Sequence, residues 1–181
     1  RRIPKVGIRR SDVMAHASSF AHGRTFCWTG VAMSMAPREI VILSSLDPDR
    51  ADPVLRSHPP TIVEALPAAY VRFRPLAQRL DNPFRRVRFF LSTYDAMHPP
   101  VIRSYLNASR HRNPLWMDGW GQTETGTLTF RFHTRRSIVR GRSVHGVGHP
   151  VPGKTRLRLV DPKTLRPVRP GRPGLVLART A

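Results

Sequence analysis

An α/β fold, with a mainly parallel sheet flanked by helices and then antiparallel strands, is the class this sequence predicts. Three observations predict it. Short apolar runs suited to buried strands recur at Glu39-Ile40-Val41-Ile42-Leu43, at 61–66, at 87–92 and at Leu115-Trp116-Met117. Stretches of helical periodicity separate them, and such strand–helix alternation argues for a parallel sheet. Beyond residue 126 the pattern changes to alternation, as in Leu128-Thr129-Phe130-Arg131-Phe132, the mark of antiparallel strands with one solvated face.

Residues 1–38 read as a poorly defined N-terminal segment, 39–126 as the α/β core portion, and 127–181 as a β-rich continuation of the same domain. In the first, Asp12-Val13-Met14-Ala15-His16-Ala17 predicts a helix opening on Asp12 as N-cap. Thr29-Gly30 predicts a turn before Val31-Ala32-Met33. The unbroken apolar run at 39–43 predicts a strand covered on both faces. Asp52-Pro53 sets an N-cap before a proline at the first helical position, and Pro59-Pro60 ends that helix. After the 61–66 strand, residues 67–80 carry Ala69, Phe73, Leu76 and Leu80 at helical spacing. The 87–92 strand leads to a helix over 100–106 behind a proline pair. The 115–117 strand then enters a glycine turn beginning at Asp118-Gly119. Later, Thr155-Arg156-Leu157-Arg158-Leu159 alternates, and Asp161-Pro162-Lys163-Thr164 reads as a turn between strands.

A chain of 181 residues fits one domain and can bury a real core. Its 40% apolar content is ordinary. No apolar run approaches the ~20 residues of a membrane span. Arg1-Arg2-Ile3-Pro4-Lys5 is not followed by the apolar stretch of a signal peptide, and the single Cys27 excludes an internal disulfide framework. Cytoplasm is the expected address, with a natural start upstream of a first residue that is not Met. The formal charge of +20 raises nucleic acid or an anionic membrane as partner. Basic residues are, however, spread from Arg1 to Arg179 with no run longer than two, and all but Lys5, Lys154 and Lys163 are arginine. A bias toward GC-rich arginine codons accounts for that skew and for the 18 prolines. No specific nucleic-acid site is expected, although such a chain should adhere to polyanions at low salt.

Chemistry concentrates in Asp118-Gly119-Trp120-Gly121-Gln122-Thr123-Glu124-Thr125-Gly126. Glu124 is one of three glutamates, with Glu39 and Glu64, among 31 Lys and Arg. A scarce acid set between glycines and hydroxyls after an apolar strand points to a nucleotide phosphate and its metal. Glycine admits backbone N–H groups to phosphate oxygens, a threonine hydroxyl donates to them, and a carboxylate is a hard ligand for Mg²⁺. The plainer reading is a turn in which Glu124 pairs with one of the many arginines.

Trp120-Gly121-Gln122-Thr123-Glu124 resembles the aromatic-Gly-x-Thr-Glu signature of the adenylate-forming superfamily: acyl-CoA synthetases, luciferases and peptide-synthetase adenylation domains. The form extended back to Asp118 looks most like the acetyl- and medium-chain acyl-CoA synthetases. Gly146-Val147-Gly148-His149-Pro150-Val151-Pro152-Gly153, the strand after it and Arg169-Pro170-Gly171-Arg172-Pro173-Gly174 are similar to the family's G-x-P-x-P-G, strand, P-G-x-x-G-E-L stretch. Ser92-Thr93-Tyr94-Asp95-Ala96-Met97-His98 is similar to its G-D-A-x-H adenine loop. The three occur in family order over about residues 43–181.

The resemblance implies that ATP or AMP, Mg²⁺ and coenzyme A are used and that a small carboxylic acid is activated. It implies that Thr123 bonds a phosphate oxygen, that Glu124 holds Mg²⁺, and that Trp120 with Tyr94-Asp95-Ala96 flanks adenine. Asp118, Gly119, Gly121 and Gln122 would complete the nucleotide segment, and His98 falls where the family often carries a histidine beside the acyl pocket. Other readings stand beside these: Trp120 as a core ring, Asp95 as the cap of the helix after Pro99-Pro100, Asp118 as a turn acid. His145 and His149 lack a third ligand and are not read as a metal site. Hydrolase chemistry is disfavoured, since no Gly-x-Ser-x-Gly exists and Cys27 has no partnered histidine in sequence. The family's Pro-Lys-Gly phosphate loop, its ribose aspartate and its catalytic-lysine domain are not in this sequence, and Leu175 stands where Glu is expected. The expectation is therefore a fragment of the large domain of an ATP-dependent acyl-CoA synthetase, inactive alone. The alternatives are a non-catalytic nucleotide-binding remnant and a basic nucleic-acid-binding module.

Overall fold

The computed structural model describes residues 7–180 except 22, 94, 96, 123 and 140–145. Its elements are β1 (Val13–Ala17), α1 (Gly23–Ser34), β2 (Glu39–Ile42), α2 (Pro48–Ser57), β3 (Ile62–Ala65), α3 (Pro67–Ala77), β4 (Phe89–Thr93), α4 (Pro99–Ala108), β5 (Leu115–Gln122), β6 (Gly126–His133), α5 (Arg135–Val139), β7 (His149–Pro150), β8 (Thr155–Val160) and β9 (Leu175–Thr180). Seven strands form one sheet in the order β2-β1-β3-β4-β5-β6-β7, and β8 and β9 form a second. The first five are parallel; β6, β7 and the β8–β9 pair are antiparallel. The predicted class, a mainly parallel sheet with helices and an antiparallel continuation, is the one observed.

The strand β1 corrects the first expectation. Residues 13–17 are not a helix; all five are buried, paired with β2 on one side and β3 on the other. Asp12 caps nothing. Its carboxylate accepts from the Thr61 hydroxyl at 2.7 Å, from Arg9 N–H at 2.7 Å and from Arg88 Nε at 3.0 Å. Burial opposes its ionisation, yet the bonds from Arg88, Thr61 and Arg9 prevail and hold the carboxyl below its ordinary value.

Other boundaries move for local reasons. Thr29-Gly30 lies inside α1 rather than in a turn: a Cβ at Gly30 would meet nothing within 4 Å, so an exposed helical glycine is carried at a cost of about 1 kcal/mol. The helix α2 starts at Pro48, where Asp47 accepts from Asp49 N–H at 3.0 Å, and Asp52-Pro53 sits within it. β2 is a half-exposed edge strand, not one covered on both faces. Leu80 lies past the end of α3 and is 96% exposed. The short α5 has no signal in the sequence reading.

The two sheet faces are packed differently. One carries the larger core, with Leu55 of α2, Tyr70 and Phe73 of α3, Tyr105 and Leu106 of α4, and Phe90 and Trp116 from the sheet. Its centre is aromatic, with Tyr70 and Trp116 ring centroids 4.5 Å apart. The Tyr70 hydroxyl lies 3.0 Å from the carbonyls of both Val63 and Leu91, tying β3 to β4. The opposite face buries Met14, Ile62, Phe89, Leu91 and Met117 against Ala32 and Trp28 of α1. Thus the chain leaves β1 toward one face and β3 toward the other, and these two strands are neighbours. That is a topological switch point, where open α/β sheets place their ligands beyond the carboxyl ends of the strands.

Candidate functional site

The carboxyl edge of the sheet assembles the candidate site. Apolar residues anchor β4 and β5 in the core, and the strands pair with Ser92 opposite Asp118 and Thr93 opposite Gly119. The loop after β4 and the glycine segment of β5 therefore rise from adjacent strand ends. The sequence-predicted residues fall on these two segments.

The glycine segment is not a turn directly after 117. β5 continues through Gln122 and returns as β6, with Trp120 opposite Thr129 but Gly121 opposite Thr127. The skipped Leu128 makes a bulge, a device that re-aims side chains beside sites. Gly121 is fixed by close approach: a Cβ there would stand 2.1 Å from the Gly126 carbonyl oxygen. The tip closes with Thr125 N–H donating to the Gln122 carbonyl at 3.2 Å and with Gly126 at φ +64°, a conformation glycine adopts without strain.

Asp118 is a half-buried acid with two partners. Trp116 Nε1 donates to its Oδ1 at 2.7 Å, and His133 Nε2 lies 2.9 Å from its Oδ2. Trp116 is fully buried and His133 nearly so. The carboxylate therefore joins β5 to β6 on the α2–α4 side, and Gly119 presents its bare face to the α1 side near Thr93 and Phe130. Trp120 is half-buried, Gly121 and Gln122 are exposed, and Glu124 is exposed at the hairpin tip. Among the described residues Glu124 makes no ion pair, so an arginine does not claim it there. Asp95 is exposed and does not cap α4. The N-cap is His98, itself exposed and without a side-chain capping bond. Tyr94, Ala96, Thr123 and His145 lie outside the described residues.

Two participants escaped sequence reasoning. His133 is contacted by an acid 15 residues away, and its only signal is its place in the Arg131-Phe132-His133 alternation. Thr93 has no sequence signal of its own, though its methyl would lie 3.0 Å from a Cβ on Gly119. A groove of about 340 Å³ lined by Leu55, Arg56, Pro59, Asn82, Pro83, Arg85 and Arg86 flanks the segments that precede β3 and β4. It belongs to the amino edge, and no sequence-predicted site residue lines it.

Among the described residues no three His, Cys, Asp or Glu cluster as a metal site. Glu124, exposed at the tip, could serve only in a different arrangement, in which Mg²⁺ takes one carboxylate and fills its shell with phosphate oxygens and water. No helix among the described residues is long and apolar enough to cross a membrane.

Comparison with known proteins gives the family. A family model described as AMP-binding enzyme matches residues 2–181. The 3-amino-2-hydroxy-4-methoxybenzoate diazotase of Streptomyces cremeus is 37% identical over 176 residues, which are 96% of this chain and 31% of the diazotase. The crystal structure of IdnL1 matches with a TM-score of 0.77 at 20% identity, over 96% of this chain and 35% of that one. ATP-bound MatB from Rhodopseudomonas palustris matches with a TM-score of 0.68 at 19% identity, over 96% and 32%. The chain thus spans about a third of the length of its relatives.

Proposed function

From the premise that the chain belongs to the AMP-binding enzyme family, we propose that it carries the adenine and phosphate side of an ATP-dependent carboxylate-activating site. The observation that carries this reading is the register of Thr93 against Gly119, which sets the Asp95 loop beside the hairpin ending in Glu124. In the first step a substrate carboxylate oxygen bonds to the α-phosphorus of ATP and pyrophosphate leaves. In the second, a thiol such as coenzyme A attacks the acyl carbon and AMP leaves. Thr123 would donate to a phosphate oxygen, Glu124 would hold Mg²⁺, and Trp120 with Tyr94, Asp95 and Ala96 would flank adenine. Asp118, Gly119, Gly121 and Gln122 shape the strand edge on which the nucleotide lies. Bound Mg²⁺ would neutralise phosphate charge, the electrostatic contribution that phosphate chemistry most requires.

Identity with the diazotase favours a second reading of the same site. There the activated oxyanion is nitrite: its oxygen bonds to the α-phosphorus and pyrophosphate leaves. An arylamine nitrogen then attacks the nitrosyl nitrogen and AMP departs; the two amine protons and the nitrosyl oxygen leave as water, which gives the diazonium.

Because the chain covers about a third of its relatives, full turnover is proposed for a longer polypeptide bearing these residues. Residues 1–181 alone are expected to bind nucleotide without turnover. Pyrophosphate exchange with acetate, octanoate, benzoate and nitrite tests both readings in the longer polypeptide. Exchange driven by a carboxylate supports the first and exchange driven by nitrite the second. Absence of exchange with all four refutes both, and robust exchange by residues 1–181 alone refutes the division of labour.

A further inference from the structure

The tip of the β5–β6 hairpin meets a second loop, the one between β7 and β8. β7 pairs with β6 through Thr129 and Pro150. Val151 N–H then donates at 3.0 Å to the carbonyl of Leu128, the residue that the β5–β6 register skips. The loop turns at once. Lys154 N–H and Thr155 N–H both donate to the Val151 carbonyl, at 3.2 and 2.9 Å, and Gly153 takes φ +73°. Thr155 is buried where β8 begins. These bonds anchor the Lys154 backbone to β6, and its exposed side chain reaches back to the hairpin. A Cβ on Gly126 would stand 3.8 Å from Lys154 Nζ. Gly126 is the register partner of Gln122, so the ammonium lies beside the residues that close the tip, next to the segment that carries Glu124.

Charge makes that position informative. The bonds that close the tip are internal, with Gln122 N–H donating to Thr125 Oγ1 at 3.3 Å and Thr125 N–H to the Gln122 carbonyl. The tip itself therefore offers a phosphate an acid, Glu124, and no cation. A triphosphate carries several negative charges, and the single divalent ion that Glu124 would hold neutralises only part of them. A lysine ammonium suits the remainder, because it meets phosphate oxygens as a compact point charge on a flexible stem. Among the described residues the Lys154 ammonium makes no hydrogen bond or ion pair, with Glu124 or any other side chain. Lysine is also not what this chain supplies by default: it accounts for three of 31 basic residues, and one of the three stands here.

We propose that Lys154 is a phosphate-binding residue of the nucleotide site, meeting the terminal phosphates of ATP and the pyrophosphate that leaves. Adenine is read at Trp120 and the Asp95 loop and the phosphates at the tip, so a cation beside Gly126 addresses the polyphosphate end and not the base. When the substrate oxygen bonds to the α-phosphorus, the bond from that phosphorus to the bridging oxygen breaks and its electron pair stays with pyrophosphate. Lys154 faces the charge gathered there, a stabilisation that grows as the bond breaks, and no proton need move. This deepens the nucleotide-site reading and rests on it for where the phosphates lie.

The test is calorimetric binding of ATP, AMP and inorganic pyrophosphate, each with Mg²⁺, to the longer polypeptide and to its Lys154→Met and Lys154→Arg variants. Lys154→Met keeps an apolar stem and removes the charge. It should weaken ATP and pyrophosphate about tenfold, the loss of one charged hydrogen bond, and leave AMP within about twofold. Lys154→Arg should retain most of the ATP affinity, because the charge remains. Both variants should melt with the parent, since the side chain is exposed and unpaired. Unchanged ATP affinity in Lys154→Met, ATP and AMP weakened alike, or an arginine variant as weak as the methionine one overturns the proposal while leaving the nucleotide reading in place. Binding of neither ATP nor AMP by the unaltered protein refutes the nucleotide reading and this proposal with it.

Discussion

Replacing Asp118 by alanine removes two partners at once. The Trp116 indole N–H, in a side chain with no exposed surface, loses the acceptor 2.7 Å away. An orphaned buried donor costs about 1–3 kcal/mol. His133, whose side chain is 5% exposed, loses the carboxylate 2.9 Å away, worth about 1 kcal/mol more as one ordinary hydrogen bond. Asp118→Ala should therefore destabilise the chain by about 2–4 kcal/mol, a large effect against the about 0.5 kcal/mol of an ordinary surface change. Asp118→Asn keeps an acceptor for the indole and can donate its amide to a neutral imidazole, so about 1 kcal/mol or less should be lost. Urea unfolding of residues 1–181, followed by tryptophan fluorescence, measures both. Alanine and asparagine variants of equal stability would refute the reasoning, because the two differ chiefly in that acceptor. Nucleotide affinity gives a second axis: if Asp118 acts only through Trp116 and His133, the asparagine variant should bind ATP as the unaltered chain does.

Three further outcomes follow from particular contacts. The Asp12 carboxyl titrates below its ordinary value in the folded chain, so it contributes stability that is complete above about pH 4, near its unfolded value. That contribution is lost as pH falls through the lower folded value; Asp12→Asn should flatten the acid limb of a stability–pH curve, and an unchanged limb counts against the buried network. Gly121→Ala puts a Cβ 2.1 Å from the Gly126 carbonyl and should cost about 1–3 kcal/mol as overpacking, with ATP affinity falling as the hairpin shifts; a variant matching the parent in both measurements contradicts this. Glu124→Gln should abolish the gain in ATP affinity that Mg²⁺ gives over EDTA while leaving the melting temperature unchanged, and a gain that persists would remove Glu124 from the metal site.

What could be read in advance depended on how local each cause was. β2 to β5 were legible because each is a short apolar run whose hydrophobicity alone identifies it. β1 was hidden because His16 interrupts its apolar pattern and Asp12 precedes it like a cap. The true partner of Asp12 is Arg88, 76 residues on, and no local signal reveals that. The two Asp-Pro pairs at 47–48 and 52–53 carry the same cap chemistry, and sequence alone favoured the wrong one. At the site, Gly119 and Gly121 read as a turn. Glycine marks close approach as readily as reversal: the backbone of Gly126 meets Gly121, and the side chains of Thr93, Phe130 and Thr127 meet Gly119. The Asp118–His133 contact arises from strand register, which one sequence does not fix.

The placement of β1 also bears on how the molecule is made. This five-residue strand leaves the ribosome before either of its partners, since Met14 finds one neighbour at Ile40 and the other at Ile62. Both its edges stay bare until much later residues have been synthesised, and parallel pairing over such separations forms slowly. A nascent chain stalled before residue 62 would expose an open template for any passing strand, so the pace of translation across the proline-rich stretch ahead of β3 bears directly on how much polypeptide is lost to aggregates.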